Sequence, residues 1–485
     1  MARSACLALG ACVLVSLAAR SEAQTRPGDS ATTPLNEQHE KTKIEAQTAH
    51  QEGRHERAIE LVNTVLRENR QDDVAWYLRG SARIQSAAAR RDAALLRKGI
   101  NDIREAIRLG GSKRPIYYLP YLFGMTRLSQ LEDRDAHATM ALPVADKLLA
   151  NASLTDEEKS HVHYQRGLLH QRLGEFDAAI ADMQQAIQLN DLHLGARLAL
   201  ADLHAAQGRT QEAKAAFDQA AETFANSPLV WNNRGMFLQH IGQAQAAIAD
   251  FTAAIAVDAN YFVAYTNRGS VHLAVGGLDA AEADLTKSLA LNPNQPTAYR
   301  LRGTVRLNRG EIEQAVANYS QALRLEPQNA AAHADLGFAR LFAGDHRAAL
   351  TEFDRAVVLD PQARYLHPWR YLAMQLAGRG GDAKARFGKL IAADPARRDF
   401  IDHLLAYLTG ELSEQELLAT IESAPPAMQS VQVCEAHYFI GRQKQLADGS
   451  DAATVNFEQA LATDARHLSA FRGAAFALKK FPVAR

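Results

Sequence analysis

Seven glycines spaced 34 residues apart (Gly174, Gly208, Gly242, Gly276, Gly310, Gly344 and Gly378) constrain this 485-residue chain more than any other feature. Five residues after each comes an alanine: Ala179, Ala213, Ala247, Ala281, Ala315, Ala349 and Ala383. Four further on stands a large apolar residue: Met183, Phe217, Phe251, Leu285, Tyr319, Phe353 or Phe387. A period of this length, held in register from Ser160 to Arg397, predicts a solenoid of stacked helical hairpins. One hairpin cannot bury its apolar face alone, so each leans on its neighbours.

Each phased residue has a physical reason. The glycine follows a helical run such as Leu301–Asn308, where the chain must reverse, and a left-handed turn residue suits glycine. Gly235, Gly269, Gly303 and Gly337 are small, which lets two antiparallel helices approach closely. The large residue is expected to fill the groove between one helix pair and the next, stabilising by about 1.5–3 kcal/mol. Pro293, Pro327, Pro361 and Pro395 close the second helix, because proline has no amide hydrogen for the ladder.

These residues resemble the tetratricopeptide repeat (TPR) family. One copy reads Trp231, Arg234-Gly235, Gly242, Ala247, Phe251, Ala254, and another Tyr299, Arg302-Gly303, Gly310, Ala315, Tyr319, Ala322, Pro327. The resemblance implies an all-α superhelical solenoid of helix-turn-helix repeats that binds partners along a concave face.

Taken in order, the chain reads as a signal peptide (1–23), a disordered linker (24–38) and two degenerate repeats (39–110). A divergent helical hairpin (111–159) precedes the seven regular repeats (160–397), and a C-terminal region (398–485) ends in a last repeat and a capping helix. In the second repeat an insertion around Ala87–Arg91 precedes the helix Ala93–Leu109. Pro143 is expected to open a helix at Val144. Ser413 with Glu416 forms a capping-box pattern, Ala424-Pro425-Pro426 reads as a linker, and the last repeat starts at Cys434. His467–Lys480 reads as the closing helix that covers the end of the stack. Tyr407, Leu408, Gly410, Leu412-Ser413-Glu414 and Leu417, then Glu435, Tyr438, Gly441, Phe457 and Ala460, resemble the NlpI-type TPR proteins of bacterial envelopes. That resemblance implies an adaptor for envelope proteases and peptidoglycan hydrolases.

Arg3, the apolar run Ala5–Ala19 and Ser21-Glu22-Ala23 have the anatomy of a secretory signal cleaved after Ala23. The competing readings are an uncleaved anchor and lipidation at Cys12. Most of the apolar run follows Cys12, which argues against lipidation. Membrane attachment is expected only if the N-terminus stays or is lipidated. Of the three cysteines only Cys434 lies beyond the signal, so the fold must hold by packing. A formal net charge of −1 gives no pull toward nucleic acid.

Ten Lys/Arg between Arg79 and Arg114 read as a solvated helix face partly paired with acidic residues such as Glu132, Asp133 and Asp135, with an anionic docking site as the competing reading. The aromatic stretch Ile116–Phe123 reads as core rather than a pocket. His55-Glu56 lacks the second histidine of a zinc-protease motif, and His161 and His163 point to different sides of one helix. No cofactor, metal or catalytic residue is expected, and the chain reads as a non-enzymatic scaffold.

The 3.6-residue period puts positions 2, 6, 9 and 13 of each repeat on one side of its first helix, the side that lines the groove in TPR proteins. Candidate peptide-binding residues there are Asn233, Met236, Asn267, Ser270, Asp335 and Phe338. Asn233 and Asn267 hold equivalent places and resemble the asparagine ladder of O-linked N-acetylglucosamine transferase, which grips a peptide backbone. An amide both donates and accepts, so it can pair with an extended chain of any sequence. The plainer reading is a common TPR variant. The expected partners are other proteins, bound through extended or helical segments in the bacterial periplasm or cell envelope. An accessory subunit regulating an envelope hydrolase or protease, and a spacer in an export or polysaccharide-assembly machine, are the alternatives.

Overall fold

A computed structural model describes residues 34–110, 114–447 and 449–479. The expected signal peptide and residues 24–33 of the linker lie outside these. Among the described residues every regular element is a helix, and the chain divides into two compact units on either side of the Phe237–Leu238 bond.

The first unit begins with α1 (Pro34–Gln51), α2 (His55–Glu68), α3 (Asp73–Arg90) and α4 (Ala93–Gly110). It continues through α5 (Tyr118–Glu132), α6 (Asp135–Leu149), α7 (Asp156–Arg172), α8 (Phe176–Leu189), α9 (Leu194–Ala206) and α10 (Thr210–Thr223). α11 (Pro228–His240) spans the division. The second unit holds α12 (Ala244–Val257), α13 (Phe262–Ala274), α14 (Leu278–Leu291), α15 (Pro296–Asn308), α16 (Ile312–Leu325), α17 (Ala330–Phe342) and α18 (His346–Leu359). The C-terminal helices are α19 (His367–Leu376), α20 (Gly380–Gly388), α21 (Phe400–Thr409), α22 (Glu414–Glu422), α23 (Pro426–Ala447), α24 (Ser450–Ala462) and α25 (Ser469–Ala477).

The phased glycines turn the chain as their spacing predicts. All seven have φ between +72° and +85°, and Gly174, Gly208, Gly242, Gly276, Gly344 and Gly378 have open space where a Cβ would stand. Their requirement is therefore conformational and not steric. The helical glycines have the opposite requirement. A Cβ on Gly337 would lie 2.6 Å from the Phe353 ring, and one on Gly303 would lie 2.8 Å from Tyr319. So the large residue seats on the glycine of its own hairpin, a contact the sequence reading placed only between neighbouring hairpins. Phe353 and Tyr319 are fully buried there.

Several boundaries differ from the sequence reading. α1 already begins at Pro34, so residues 34–38 are helical and not linker. The insertion in the second repeat lengthens α3 to 18 residues, and Arg91 at φ +56° replaces the turn glycine. Pro143 lies inside α6 and opens no helix. It sits on the exposed face, where water can satisfy the carbonyl of Thr139 that its ring leaves unbonded. α23 begins at Pro426, eight residues before the expected start at Cys434. Capping boxes hold the starts of α22 (Ser413 with Glu416), α7 (Thr155 with Glu158) and α21 (Asp399 with Asp402), only the first of which was anticipated.

Candidate partner-binding surface

The first helix of each regular hairpin positions the groove face, and in several hairpins one arginine ties that helix to its surroundings, Leu200 and Leu336 taking its place in two others. Arg268 of α13 donates to Asp284 of its own hairpin, Nε–Oδ2 at 2.8 Å and Nη2–Oδ1 at 2.7 Å, and to Thr252 of the preceding hairpin at 2.9 Å. Arg302 repeats the arrangement with Asn318 and Thr286 at 2.9 and 3.3 Å. In the first unit Arg166 takes Asp182 at 2.9 and 2.7 Å. An aromatic ring three residues earlier lies against the guanidinium, Tyr265 at 5.8 Å and Tyr299 at 5.6 Å. The Arg-Gly pair of the motif is thus a clamp and a seat side by side. The clamp partners Asp182 and Asp284 stand in phase in the sequence.

In the first unit the groove face includes Asp202 of α9 and Asn233 and Met236 of α11. Asn233 is buried at 6% exposure, and its Oδ1 accepts a long bond from the Asn232 amide at 3.4 Å. That amide also reaches the Met236 sulfur at 3.5 Å. Asn233 is thus largely covered, with its amide oxygen engaged by its neighbour. Burial pushes the Asp202 carboxyl up to about 7. Sequence reasoning passed over it, because one aspartate among alanines carries no periodic signal.

In the second unit Asn267 and Ser270 of α13 are half-buried, and the groove face continues through Leu301 and Thr304 of α15. Further along, the face is covered by the chain itself. Asp335 of α17 accepts from Arg300 at 3.0 Å; burial raises its carboxyl, and Arg300 and Arg472 oppose that rise. Phe338 is core. Its ring lies 5.0 Å from Phe353 and 4.9 Å edge-on from Trp369, which stacks on Tyr438 at 4.9 Å and meets Phe439 at 5.0 Å. Reciprocal amide bonds between Gln375 and Gln443, at 3.1 and 2.8 Å, fasten α19 to α23 beside this cluster. Phe338 was expected to be an exposed contact residue. Instead α23 returns to α19, and the Trp369 ring covers it. α25 returns as well: Phe476 stacks on Phe342 at 4.8 Å, so the closing helix reaches the groove face in addition to covering the last hairpin.

The remaining chemistry is structural. His161 and His193 form a buried pair at 3.0 Å, and the His193 ring caps α9 by accepting from the Ala196 amide at 3.1 Å. Burial pushes them down to about 4 and about 3, respectively. His163 turns the other way, to Asp182 at 2.8 Å. Among the described residues no three His, Cys, Asp or Glu converge on a metal site, and no helix is long and apolar enough to cross a membrane. The basic second repeat is largely paired. Arg79 and Arg83 share Asp102, Arg97 meets Glu132, Arg90 meets Glu56, and Arg114 meets Asp73. Tyr117, Leu119, Tyr121, Leu122 and Phe123 are buried, so that aromatic stretch is core.

The described structure is an all-α solenoid of helical hairpins. One family model described as TPR repeat matches residues 303–341, and two described as tetratricopeptide repeat match 171–234 and 229–261. Residues 171–261 and 303–341 are thus tetratricopeptide repeats, a class whose fold serves protein–protein interaction. No curated protein matches the sequence. Among solved structures, Pseudomonas aeruginosa pilF is 22% identical over 42% of this chain and 94% of its own, with a TM-score of 0.39. A tetratricopeptide repeat protein from Parabacteroides merdae is 19% identical over 54% and 98%, with a TM-score of 0.38. YrrB, titled a TPR protein with an unusual peptide-binding site, is 20% identical over 37% and 92%, with a TM-score of 0.31.

Proposed function

We propose that the protein is a non-enzymatic adaptor that holds segments of other proteins against the groove faces of its repeats, in a bacterial periplasm or cell envelope. The observation that carries the reading is the clamp-and-seat construction of the hairpins. In the hairpins of Arg268 and Arg302, arginine, glycine and large apolar residue hold the first helix in a fixed place, while positions 6 and 9 vary from Asn267 and Ser270 to Leu301 and Thr304. A rigid frame with a variable face suits recognition and not catalysis. The envelope assignment rests on the N-terminal sequence, Arg3 with the apolar run Ala5–Ala19 and the small residues Ser21 and Ala23.

Two measurements test this reading. Mass spectrometry of the protein isolated from its own cells should find Gln24 as the first residue; an intact Met1 in the cytoplasmic fraction would overturn export. Affinity capture from envelope extract should recover at least two partners for an adaptor. A single enzyme whose rate changes on binding would instead indicate a regulatory subunit, and retention in an insoluble assembly a structural spacer.

A further inference from the structure

The last helix occupies groove surface that the repeat pattern assigns to partners. On α17, Asp335 and Phe342 stand seven residues apart on one face. On α25, Arg472 and Phe476 stand four apart on one face. Phe476 stacks on Phe342 with ring centroids 4.8 Å apart, and the Arg472 charge acts on both Asp335 and Tyr319. The two rings thus meet, and the Arg472 charge lies near enough to act on the Asp335 carboxylate without forming an ion pair with it.

This docking is also incomplete. α25 has nine residues with Gly473 at its centre, and its N-cap, Leu468, makes no side-chain bond to the helix. α21 and α22 nearby each carry a full capping box. The Arg472 Nη atoms bond only within their own segment, to the His467 carbonyl at 3.4 Å and the Ser469 hydroxyl at 3.2 Å, while its Nε is buried without an acceptor. So short a helix has little stability of its own and depends on the surface beneath it. A donor left buried without an acceptor weakens the hold further.

We propose that residues 469–477 are an internal ligand of the second unit's groove, covering Asp335 and Phe342 until a partner helix with a cation and an aromatic four residues apart displaces them. The inference rests on the adaptor reading and adds a regulatory step and a partner chemistry to it. α23 stays in place, because Trp369 of α19 stacks on its Tyr438 and meets its Phe439; α25 also seats on Tyr438 through Gly473, a contact given up when it leaves.

The test uses a fluorescent peptide of residues 467–479 added to the full chain. A full-length variant carrying Arg472→Ser and Phe476→Ser should bind the peptide at least tenfold more tightly than the unaltered chain. Adding Phe342→Ala to that variant should abolish binding. Equal affinity in the unaltered and loosened chains, with binding still lost on Phe342→Ala, would overturn the internal ligand while leaving the groove as a binding surface. No binding to any folded variant would overturn this groove as a helix site and count against the adaptor reading here. Hydrogen exchange on the unaltered chain gives an independent readout. Amides of 469–477 should exchange at least tenfold faster than those of 434–447, and equal protection would contradict a displaceable helix.

Discussion

Arg268 grips Asp284 through two parallel N–H···O bonds, with Tyr265 against the guanidinium and Thr252 of the preceding hairpin on its third nitrogen. Both charged groups are largely buried, so each depends on the other for solvation lost on folding. The planar fork of arginine matches the carboxylate in a way that an ammonium cannot. Arg268→Ala should destabilise the second unit by about 2–3 kcal/mol in urea unfolding, because Asp284 is left buried and unpaired. Arg268→Lys should recover less than half of this loss. Adding Asp284→Ala to Arg268→Ala should restore part of the stability. A double variant as unstable as the sum of the singles would contradict a clamp.

The two kinds of glycine fail for different reasons, and second-site changes separate them. Gly276 has φ +81° and open space around it, so Gly276→Ala should cost about 1–2 kcal/mol. Gly276→Asn should cost less, since asparagine tolerates the left-handed region. Gly337→Ala collides with the Phe353 ring and should cost about 1–3 kcal/mol by overpacking. Trimming that ring in Gly337→Ala/Phe353→Leu should lower the incremental cost of the alanine, measured against Phe353→Leu alone. No shortened neighbour should rescue Gly276→Ala. Thermal unfolding of the set checks both statements.

The buried pair His161 and His193 makes acid destabilising. Their folded values, about 4 and about 3, lie below the ordinary histidine value, so between pH 6.5 and 4 the unfolded chain binds protons that the folded chain refuses. Stability is therefore full above pH 6.5 and falls as the pH drops, by roughly 1 kcal/mol per pH unit for each histidine. His50 and His367, also pushed down to about 4, add to the same slope. His193→Asn keeps an acceptor for the Ala196 amide and removes one titrating ring. The gap in unfolding free energy between the natural chain and this variant should shift in the variant's favour as pH falls from 6.5 to 4. A gap constant across that range would mean that His193 is not held neutral.

The turns and the close helix approaches were legible in the sequence because period and chemistry coincide there; that Phe353 seats on Gly337 of its own hairpin was not. Gly276 marks a turn at a fixed place in every 34 residues, and Gly337 a close approach that recurs at Gly269 and Gly303. The Arg268–Asp284 clamp recurs as Arg166–Asp182 but is broken at Leu200 and Leu336, and reading it needs the separation of two helices, which spacing alone does not supply. Non-periodic features stayed hidden. Nothing about Phe338 in its own repeat says that Trp369 will cover it, because that ring comes from α19 of the next hairpin, at the place where the earlier repeats carry Asn267, Leu301 and Asp335. Pro143 misled for a related reason: proline is a helix starter only where the preceding turn is not already held, and α6 is packed through Ala138 and Ala141 before it.

Site-directed photocrosslinking tests most directly whether the groove face is the working surface. A photoreactive side chain at Ser270, on the groove face of α13, is compared with one at Val358, 69% exposed on the second helix of its hairpin. In envelope extract the account predicts crosslinks to the same partner proteins from position 270 and none from 358. Crosslinks of equal yield from both positions, or from 358 alone, would contradict it.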